Sequence, residues 1–356
     1  MNSTVRVALD ARVLTIQSEL AGIGQYINQL VQESQAMGTH EVELVPLSFR
    51  ADPTRPYVTV VNPIAKLPWQ SVAVPWHLWR HHYDVFHGPA FSVPPITRTP
   101  LVTTIHDVTY LRFPKTVNDD TLRYLTRVVP LSLARSEAVV VPSSEVKDDV
   151  LRYFPDTKAS KIRVIALGAD RLPLEGADRA IDIPPSYIMH VGTVEPRKNL
   201  AFLLRAYDRL KERFDVAHHL ILLGGSGWKN QEFRQTLDNL PHRDSVHLLG
   251  YVDDESMATY YRHASLYAMP AHYEGFGIPA IEAIRFGVPV VAHPTGGIRD
   301  LPMDPGIRTL STFDVDLWAE TMAVMLAEGP VPRLTVPTWH QTWTHHVTLY
   351  QEVAQR

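Results

Sequence analysis

The densest chemistry in the chain lies in the run Glu274-Gly275-Phe276-Gly277-Ile278-Pro279-Ala280-Ile281-Glu282. Gly275 and Gly277 allow the backbone to approach a ligand closely. Pro279 reads as a first-turn helix residue, and a helix start offers unpaired N–H groups and a positive dipole end. That combination suits a diphosphate. Glu274 falls in the loop and Glu282 about one turn into the helix, so the two carboxylates are expected to contact different parts of one ligand. A carboxylate suits sugar hydroxyls because it only accepts hydrogen bonds. The plain alternative is a strand-to-helix turn with an acid near the helix start.

A second run, Gly192-Thr193-Val194-Glu195-Pro196-Arg197-Lys198-Asn199, directly follows an apolar stretch. Arg197 and Lys198 at the end of a buried strand suit stabilisation of phosphate charge on a departing group. A solvated surface pair is the competing reading. A third, Thr104-Ile105-His106-Asp107, puts a histidine at a strand end, where it could meet a sugar hydroxyl while Asp107 fixes its tautomer or caps the next turn. The fourth, Gly22-Ile23-Gly24, permits close backbone contact with a phosphate or acceptor. It is not a dinucleotide fingerprint, because position 27 is isoleucine.

Other groups carry less. Asp314-Val315-Asp316 reads as a helix start rather than a metal site. Asp119-Asp120, Asp148-Asp149 and Asp253-Asp254 read as solvated or capping pairs. His81-His82 and His345-His346 lack partners at ligand spacing, so no metal and no cofactor are expected. Trp69, Trp76 and Trp79 with Arg80 offer a peripheral membrane or lipid contact; packing of these aromatics into the first domain is the favoured reading.

The elements that must position these residues alternate short β-branched runs with helical periods, the mark of parallel sheets with crossover helices. Strands are expected at Val5–Asp10, Val42–Leu47, Asp84–His87, Leu101–Ile105, Ala138–Val141 and Arg163–Ile165. A second series is expected at Tyr187–Gly192, His219–Leu223, Val246–Leu248, Leu266–Ala268 and Val288–Ala292. Helices are expected at Ile23–Met37, Glu145–Tyr153, Leu200–Phe214, Glu255–His263, Pro279–Phe286, Val315–Ala327 and Trp339–Val353. The proline-rich, aperiodic stretch Arg171–Ser186 reads as a linker. Two α/β domains follow, residues 1–172 with 339–356, and residues 173–338. Ligands of such sheets bind beyond the carboxyl ends of the strands, and two sets of ends can face one another across a cleft.

Bulk properties agree. With 356 residues, 45% hydrophobic and 20% charged, the chain is of ordinary globular composition and long enough for two cores. A net charge of −4 supplies no global field for nucleic acid or an anionic membrane. The absence of cysteine removes disulfides, thiolate metal sites and a cysteine nucleophile. No signal-peptide pattern opens the sequence, and no stretch approaches the ~20 apolar residues of a membrane helix. A cytoplasmic location is expected.

Together the motifs resemble glycosyltransferase family 4. Glu274 and Glu282, the Glu195–Asn199 run, His106-Asp107, Gly22–Gly24, the Leu223-Gly224-Gly225-Ser226-Gly227 turn and Leu249-Gly250-Tyr251-Val252 all match, in order, over nearly the whole chain. The resemblance implies a GT-B fold: two Rossmann-like domains facing across a cleft, with the last helix crossing back to the first domain. It implies transfer of a hexose, mannose favoured, from GDP-mannose or a UDP-sugar to a saccharide or lipid-linked acceptor, with retention and without metal. Glu274 would hold donor-sugar hydroxyls beside the Gly275–Ile278 backbone, Phe276 included, and Glu282 the ribose. Arg197 and Lys198 would neutralise the diphosphate, with Thr193, Gly225 and Ser226 also on the donor. Tyr251 and Val252 would lie near the base, Gly22 and Gly24 near the phosphates and acceptor, and His106 would hydrogen-bond the sugar. The chain departs from the pattern at Pro294-Thr295-Gly296-Gly297-Ile298-Arg299-Asp300, where relatives often carry a Leu-Pro-Glu run. An epimerase or phosphorylase on the same architecture, or a silent nucleotide-sugar-binding protein, stays open at this point.

Overall fold

The computed structural model describes residues 4–16, 22–38, 41–55, 58–61, 68–181, 184–302 and 304–356. Asp182 and Ile183 of the expected linker lie outside the described residues. The chain divides into two compact units, residues 1–167 with 338–356, and residues 168–337.

In the first unit the strands among the described residues are β1 (Val5–Asp10), β2 (Val42–Ser48), β3 (Thr59–Val60), β4 (Val85–Gly88), β5 (Leu101–Thr104), β6 (Ala138–Val141) and β7 (Ile162–Val164). They form one parallel sheet in the order β3-β2-β1-β4-β5-β6-β7. Helices α1 (Val13–Ile16), α2 (Ile23–Met37), α3 (Val74–Arg80), α4 (Thr109–Arg112), α5 (Asp119–Arg135) and α6 (Ser144–Tyr153) intervene. Val7, Ala8 and Leu9 of β1 are all fully buried, which is why the strand reads as a continuous apolar run: both faces of a parallel sheet are covered.

The structure adds one helix and corrects one expectation here. Helix α5 carried no expectation, because Pro130 interrupts its period; the proline lies on the exposed face, where water can satisfy the carbonyl it leaves unpaired. The tryptophans do not pack together. Trp69 is buried, whereas Trp76 is 51% and Trp79 82% exposed, because α3 and the turn before it turn Ala73, Val74, His77 and Leu78 to the core instead.

The C-terminal helix Trp339–Ala354 belongs to this first unit. A capping box starts it: the Thr338 hydroxyl accepts from the Gln341 amide at 3.1 Å, and the Gln341 side chain accepts from the Thr338 amide at 3.0 Å. Trp339, Trp343, Val347, Tyr350 and Val353 recur at helical spacing and are buried, docking the helix on α2, β1, β2 and β4.

The second unit repeats the plan. Strands β8 (Tyr187–Val191), β9 (His219–Leu223), β10 (Val246–Gly250), β11 (Leu266–Met269), β12 (Val290–Ala292) and β13 (Ile307–Thr309) form a parallel sheet in the order β10-β9-β8-β11-β12-β13. Helices α7 (Leu200–Phe214), α8 (Gln231–Asp238), α9 (Asp254–His263), α10 (Ile278–Phe286) and α11 (Val315–Glu328) cover it. Tyr207, Leu222 and Trp318 centre the core on the face of α7 and α11. Asp314 caps α11, accepting from the Leu317 amide at 3.0 Å, so the Asp-x-Asp is a helix start. In each sheet the strand order reverses direction beside the first strand, between β1 and β4 and between β8 and β11. Ligands of doubly wound sheets bind at the carboxyl ends there.

Candidate active site

At the carboxyl edge of the second sheet, the loops after β8, β9 and β10 are laced by backbone hydrogen bonds. Gly192 N donates to Leu223 O at 2.8 Å, Val194 N to Gly225 O at 3.1 Å, and Gly224 N to Gly250 O at 2.7 Å. Val194 and Ser226 pair as a parallel bridge. The approach requires glycine at 224: its φ is +134°, and a Cβ there would stand 2.3 Å from Gly192 O. Thr193, Gly225, Ser226, Tyr251 and Val252 are thereby gathered on one edge, with the Tyr251 ring exposed.

Next to them lies a buried ion network. Arg197 donates from Nη1 to Glu274 Oε2 at 2.9 Å and to the Tyr273 carbonyl at 2.7 Å, and from Nη2 to Glu195 Oε1 at 2.5 Å. Lys198 Nζ donates to Glu274 Oε1. Burial alone would raise the Glu274 pKa; the adjacent Arg197 and Lys198 outweigh it and hold the carboxyl at about 2. The cations therefore do not point into bulk water. They converge on the residue that opens the Gly275–Gly277 loop.

That loop leads into α10, with Gly277 at its N-cap in the left-handed region (φ +82°) and Pro279 in the first turn. The departing segment after β12 supports it. The Thr295 hydroxyl accepts from the Glu274 amide at 3.0 Å, and Gly297 N donates to Phe276 O at 2.7 Å. A Cβ on Gly296 would stand 2.8 Å from Phe276 O, and one on Gly297 2.6 Å from the Phe276 ring. Thr295-Gly296-Gly297 thus form the floor of the Glu274 loop.

Glu282 is buried on α10, where it accepts from the Tyr261 hydroxyl at 3.2 Å and lies 4.0 Å from the Arg171 guanidinium. Desolvation raises its pKa to about 7, and Arg171 only partly opposes this. Arg171 itself pairs with Asp254. Two carboxylates eight residues apart therefore differ: Glu274 is firmly ionised, and Glu282 titrates near neutrality.

At the carboxyl edge of the first sheet a buried Asp10 pairs with Arg12 at 3.4 Å at the end of β1, and the rings gathered around His106 are neutral. His106 is buried, and its Nε2–H donates to the Pro89 carbonyl at 2.7 Å, which leaves Nδ1 as the ring's acceptor. Burial lowers its pKa. Asp107 does not set the tautomer: it caps the next turn, accepting from the Thr109 amide at 2.8 Å. Tyr26 stands edge-on to His106 with ring centroids 4.9 Å apart. Gly22 (φ +51°) is the N-cap of α2, and Gly24 is buried in its first turn.

Behind His106 runs a buried chain of hydrogen bonds whose direction is fixed. His346 Nδ1–H donates to Thr342 O at 2.8 Å, so its Nε2 accepts from the Tyr26 hydroxyl at 2.8 Å. Tyr26 then accepts from Thr104 at 3.1 Å, Thr104 from His87 Nε2–H at 2.8 Å, and His87 Nδ1 from Tyr350 at 2.7 Å. His345-His346 and His87 were unassigned in the sequence; two of them anchor the C-terminal helix. Asp149 also departs from expectation, being buried and paired with Arg112 at 3.1 Å rather than solvated.

Sequence reasoning gave no roles to Glu195, Thr295, Tyr261 or Arg171. The glycine pair at 296–297 after a strand was the available signal for Thr295; partners of Glu282 drawn from remote segments left none. Among the described residues, no three His, Asp or Glu side chains are grouped so as to hold a metal ion, and no helix is long and apolar enough to cross a membrane.

Comparison with known proteins places this geometry. Residues 20–171 match the model of Glycosyltransferase Family 4, and residues 177–329 that of Glycosyl transferases group 1. The O-antigen chain mannosyltransferase B of Escherichia coli is 30% identical over 240 residues, 65% of this chain and 62% of that protein. A D-inositol 3-phosphate glycosyltransferase of Xylanimonas cellulosilytica is 28% identical over 249 residues, 64% of this chain and 58% of its own. The chain spans about three fifths of the length of the curated relatives it matches. Among solved structures, a glycosyltransferase from Rickettsia africae aligns at a TM-score of 0.71 with 13% identity, covering 100% of both chains. An Anabaena protein in complex with UDP and glucose aligns at 0.65 with 16% identity, over 99% of this chain and 97% of that one. At such identities these structures establish the fold, GT-B with two Rossmann-like domains. With both halves matched in series and the motifs assembled at the sheet edges, the chain belongs to glycosyltransferase family 4.

Proposed function

We propose that this protein transfers a hexose, mannose favoured, from a nucleoside-diphosphate sugar to a saccharide or lipid-linked acceptor, with retention at the anomeric carbon. The observation that carries the reading is the convergence of Arg197 and Lys198 on Glu274, next to a glycine loop that opens a helix. The network supplies a fixed carboxylate for sugar hydroxyls and two fixed cations for diphosphate charge. The mannosyltransferase relative supports mannose as the sugar, and the neighbour solved with UDP and glucose keeps UDP-sugars in view beside GDP-mannose.

Catalysis is then mainly electrostatic. As the glycosidic bond stretches toward an oxocarbenium-like transition state, negative charge grows on the leaving diphosphate, where Arg197 and Lys198 receive it. Preorganisation is the advantage: Glu195 and the Tyr273 carbonyl already hold the Arg197 fork. Glu274 is engaged by both cations rather than free to attack as a nucleophile, and we assign front-face transfer assisted by the leaving phosphate. Glu282 is assigned to the ribose and Tyr251 and Val252 to the base.

A thermal-shift screen against GDP-mannose, UDP-glucose and their free nucleotides identifies the donor, because a bound ligand stabilises by mass action. The active donor should then release nucleoside diphosphate only with an acceptor present, and NMR of the product should show the donor's anomeric configuration. Binding without turnover across a broad acceptor panel would instead make the protein a nucleotide-sugar sensor.

A further inference from the structure

His190 lies in β8 with its side chain buried, 1% exposed, and the proposed reaction gives it no part. Its Nδ1 lies 2.8 Å from the Ala268 carbonyl. A carbonyl only accepts, so Nδ1 carries the proton and Nε2 the lone pair. The ring is braced by stacking on Tyr267, centroids 5.9 Å apart. Nε2 is buried and has no hydrogen-bond partner among the described residues. An orphaned buried acceptor is costly enough to call for a reason.

What faces that lone pair is the candidate site. The Cβ that Gly192 lacks would stand 3.1 Å from His190 Nε2, 3.3 Å from Lys198 Cε and 3.5 Å from Lys198 Nζ. Imidazole and ammonium therefore flank the same point above the bare Cα of Gly192, where any side chain would stand between them. Lys198 has three N–H donors, one of which engages Glu274. Burial, with the Lys198 charge adding to it, holds the His190 pKa down at about 4, so the ring is a neutral acceptor near neutral pH.

We infer that His190 is a positioning residue for Lys198: its Nε2 accepts a second N–H of the ammonium, directly or through one bound water, and holds the cation toward the diphosphate when donor hydroxyls compete for Glu274. The inference rests on the donor-site reading of Lys198. Without His190, a lysine released by Glu274 would lose its second tether, and stabilisation of the leaving group would suffer more than donor affinity.

The test uses the full chain, whichever of GDP-mannose and UDP-glucose stabilises it and the acceptor that supports turnover, reading the rate of acceptor-dependent nucleoside diphosphate release, donor KM and melting temperature. His190→Phe keeps an aromatic ring and removes the acceptor; His190→Gln returns an acceptor oxygen at similar reach. H190F should lower kcat by about tenfold or more with donor KM within about twofold, and H190Q should recover most of the loss. In a Lys198→Ala background, H190F should cost nothing further. Should H190F melt early, H190M fills the space without a strong acceptor and takes its place. Wild-type kcat in H190F, or an equal loss with and without Lys198, overturns the assignment and leaves the ring a packing element. If K198A itself turns over like wild type, the donor-site reading falls together with this one; if K198A is slow and H190F is not, only the role of His190 falls.

Discussion

The two sheets share one strand plan, 3-2-1-4-5-6 in each unit's own numbering with β7 added to the first, yet their carboxyl edges are furnished in opposite ways. In the second unit the edge is charged: Arg197, Lys198, Glu195 and Glu274 form a buried ion network. In the first, beside the Asp10–Arg12 pair, it is built of neutral groups: His106, Tyr26, Thr104, His87, His346 and Tyr350 form buried rings and directed hydrogen bonds, with histidine pKa values pushed down by burial. A buried ion network is a poor device for stability, since well-packed apolar groups commonly do as well. It is a good device for fixing charge where an anion must be met. The neutral network does the structural work of tying the C-terminal helix to β4, β5 and α2. At the same topological position one unit thus carries an ion network converging on Glu274, and the other a ring network that ties in the C-terminal helix.

This contrast can be broken by substitution. The largest effect belongs to Arg197→Ala combined with Lys198→Ala, which strands a buried carboxylate: turnover should vanish, and stability should fall by roughly 3–5 kcal/mol in urea unfolding. Each single variant leaves Glu274 one partner, so kcat should drop by about 10²–10³ with the fold retained. Retained turnover in both singles would remove the charge assignment from this edge.

Glu282→Gln should act through pH. The folded carboxyl, raised from 4.5 to about 7, holds a proton that the unfolded chain has released. Wild-type stability should therefore fall as pH rises from 4.5 to 7 and level off above. Gln keeps the hydrogen bond from Tyr261 but lacks that slope. The stability difference should shift in the variant's favour by about 3 kcal/mol between pH 4 and 8. Donor affinity should move the other way in the wild type, tightening from pH 6 to 8, because ribose hydroxyls favour the ionised form. Equal slopes in both proteins would contradict the assignment.

Tyr26→Phe interrupts the neutral chain at its centre. It should cost about 1–2 kcal/mol of stability and leave nucleotide affinity in calorimetry unchanged. A change in that affinity would blur the division between the two edges. Smallest of all, Trp79→Ser on the exposed face of α3 should stay within about 0.5 kcal/mol in thermal unfolding.

Legibility in the sequence followed the range of the interactions. Ile23–Met37, Leu200–Phe214 and His219–Leu223 appear with the bounds expected, because their periods are local and strong. Short edge strands such as β3 and β13 carry too few residues to show a period, and α5 was hidden by a solvent-facing proline. The residue types at 197, 198, 274 and 282 carry the expectation of phosphate and sugar chemistry, and the glycines at 275 and 277 that of close backbone approach.

What the sequence determined by itself was the set of elements, their alternation and the chemical character of the strand-end loops, since each is encoded within a few consecutive residues. Only the tertiary structure decided that Arg197 and Lys198 meet a carboxylate 77 and 76 residues away. The structure alone also separates Glu274 from Glu282 as an ion and a titrating acid, and leaves His190 with an unpartnered nitrogen above Gly192. Pairing, burial and protonation depend on what stands within a few ångströms in space, and residues remote along the chain supply those neighbours.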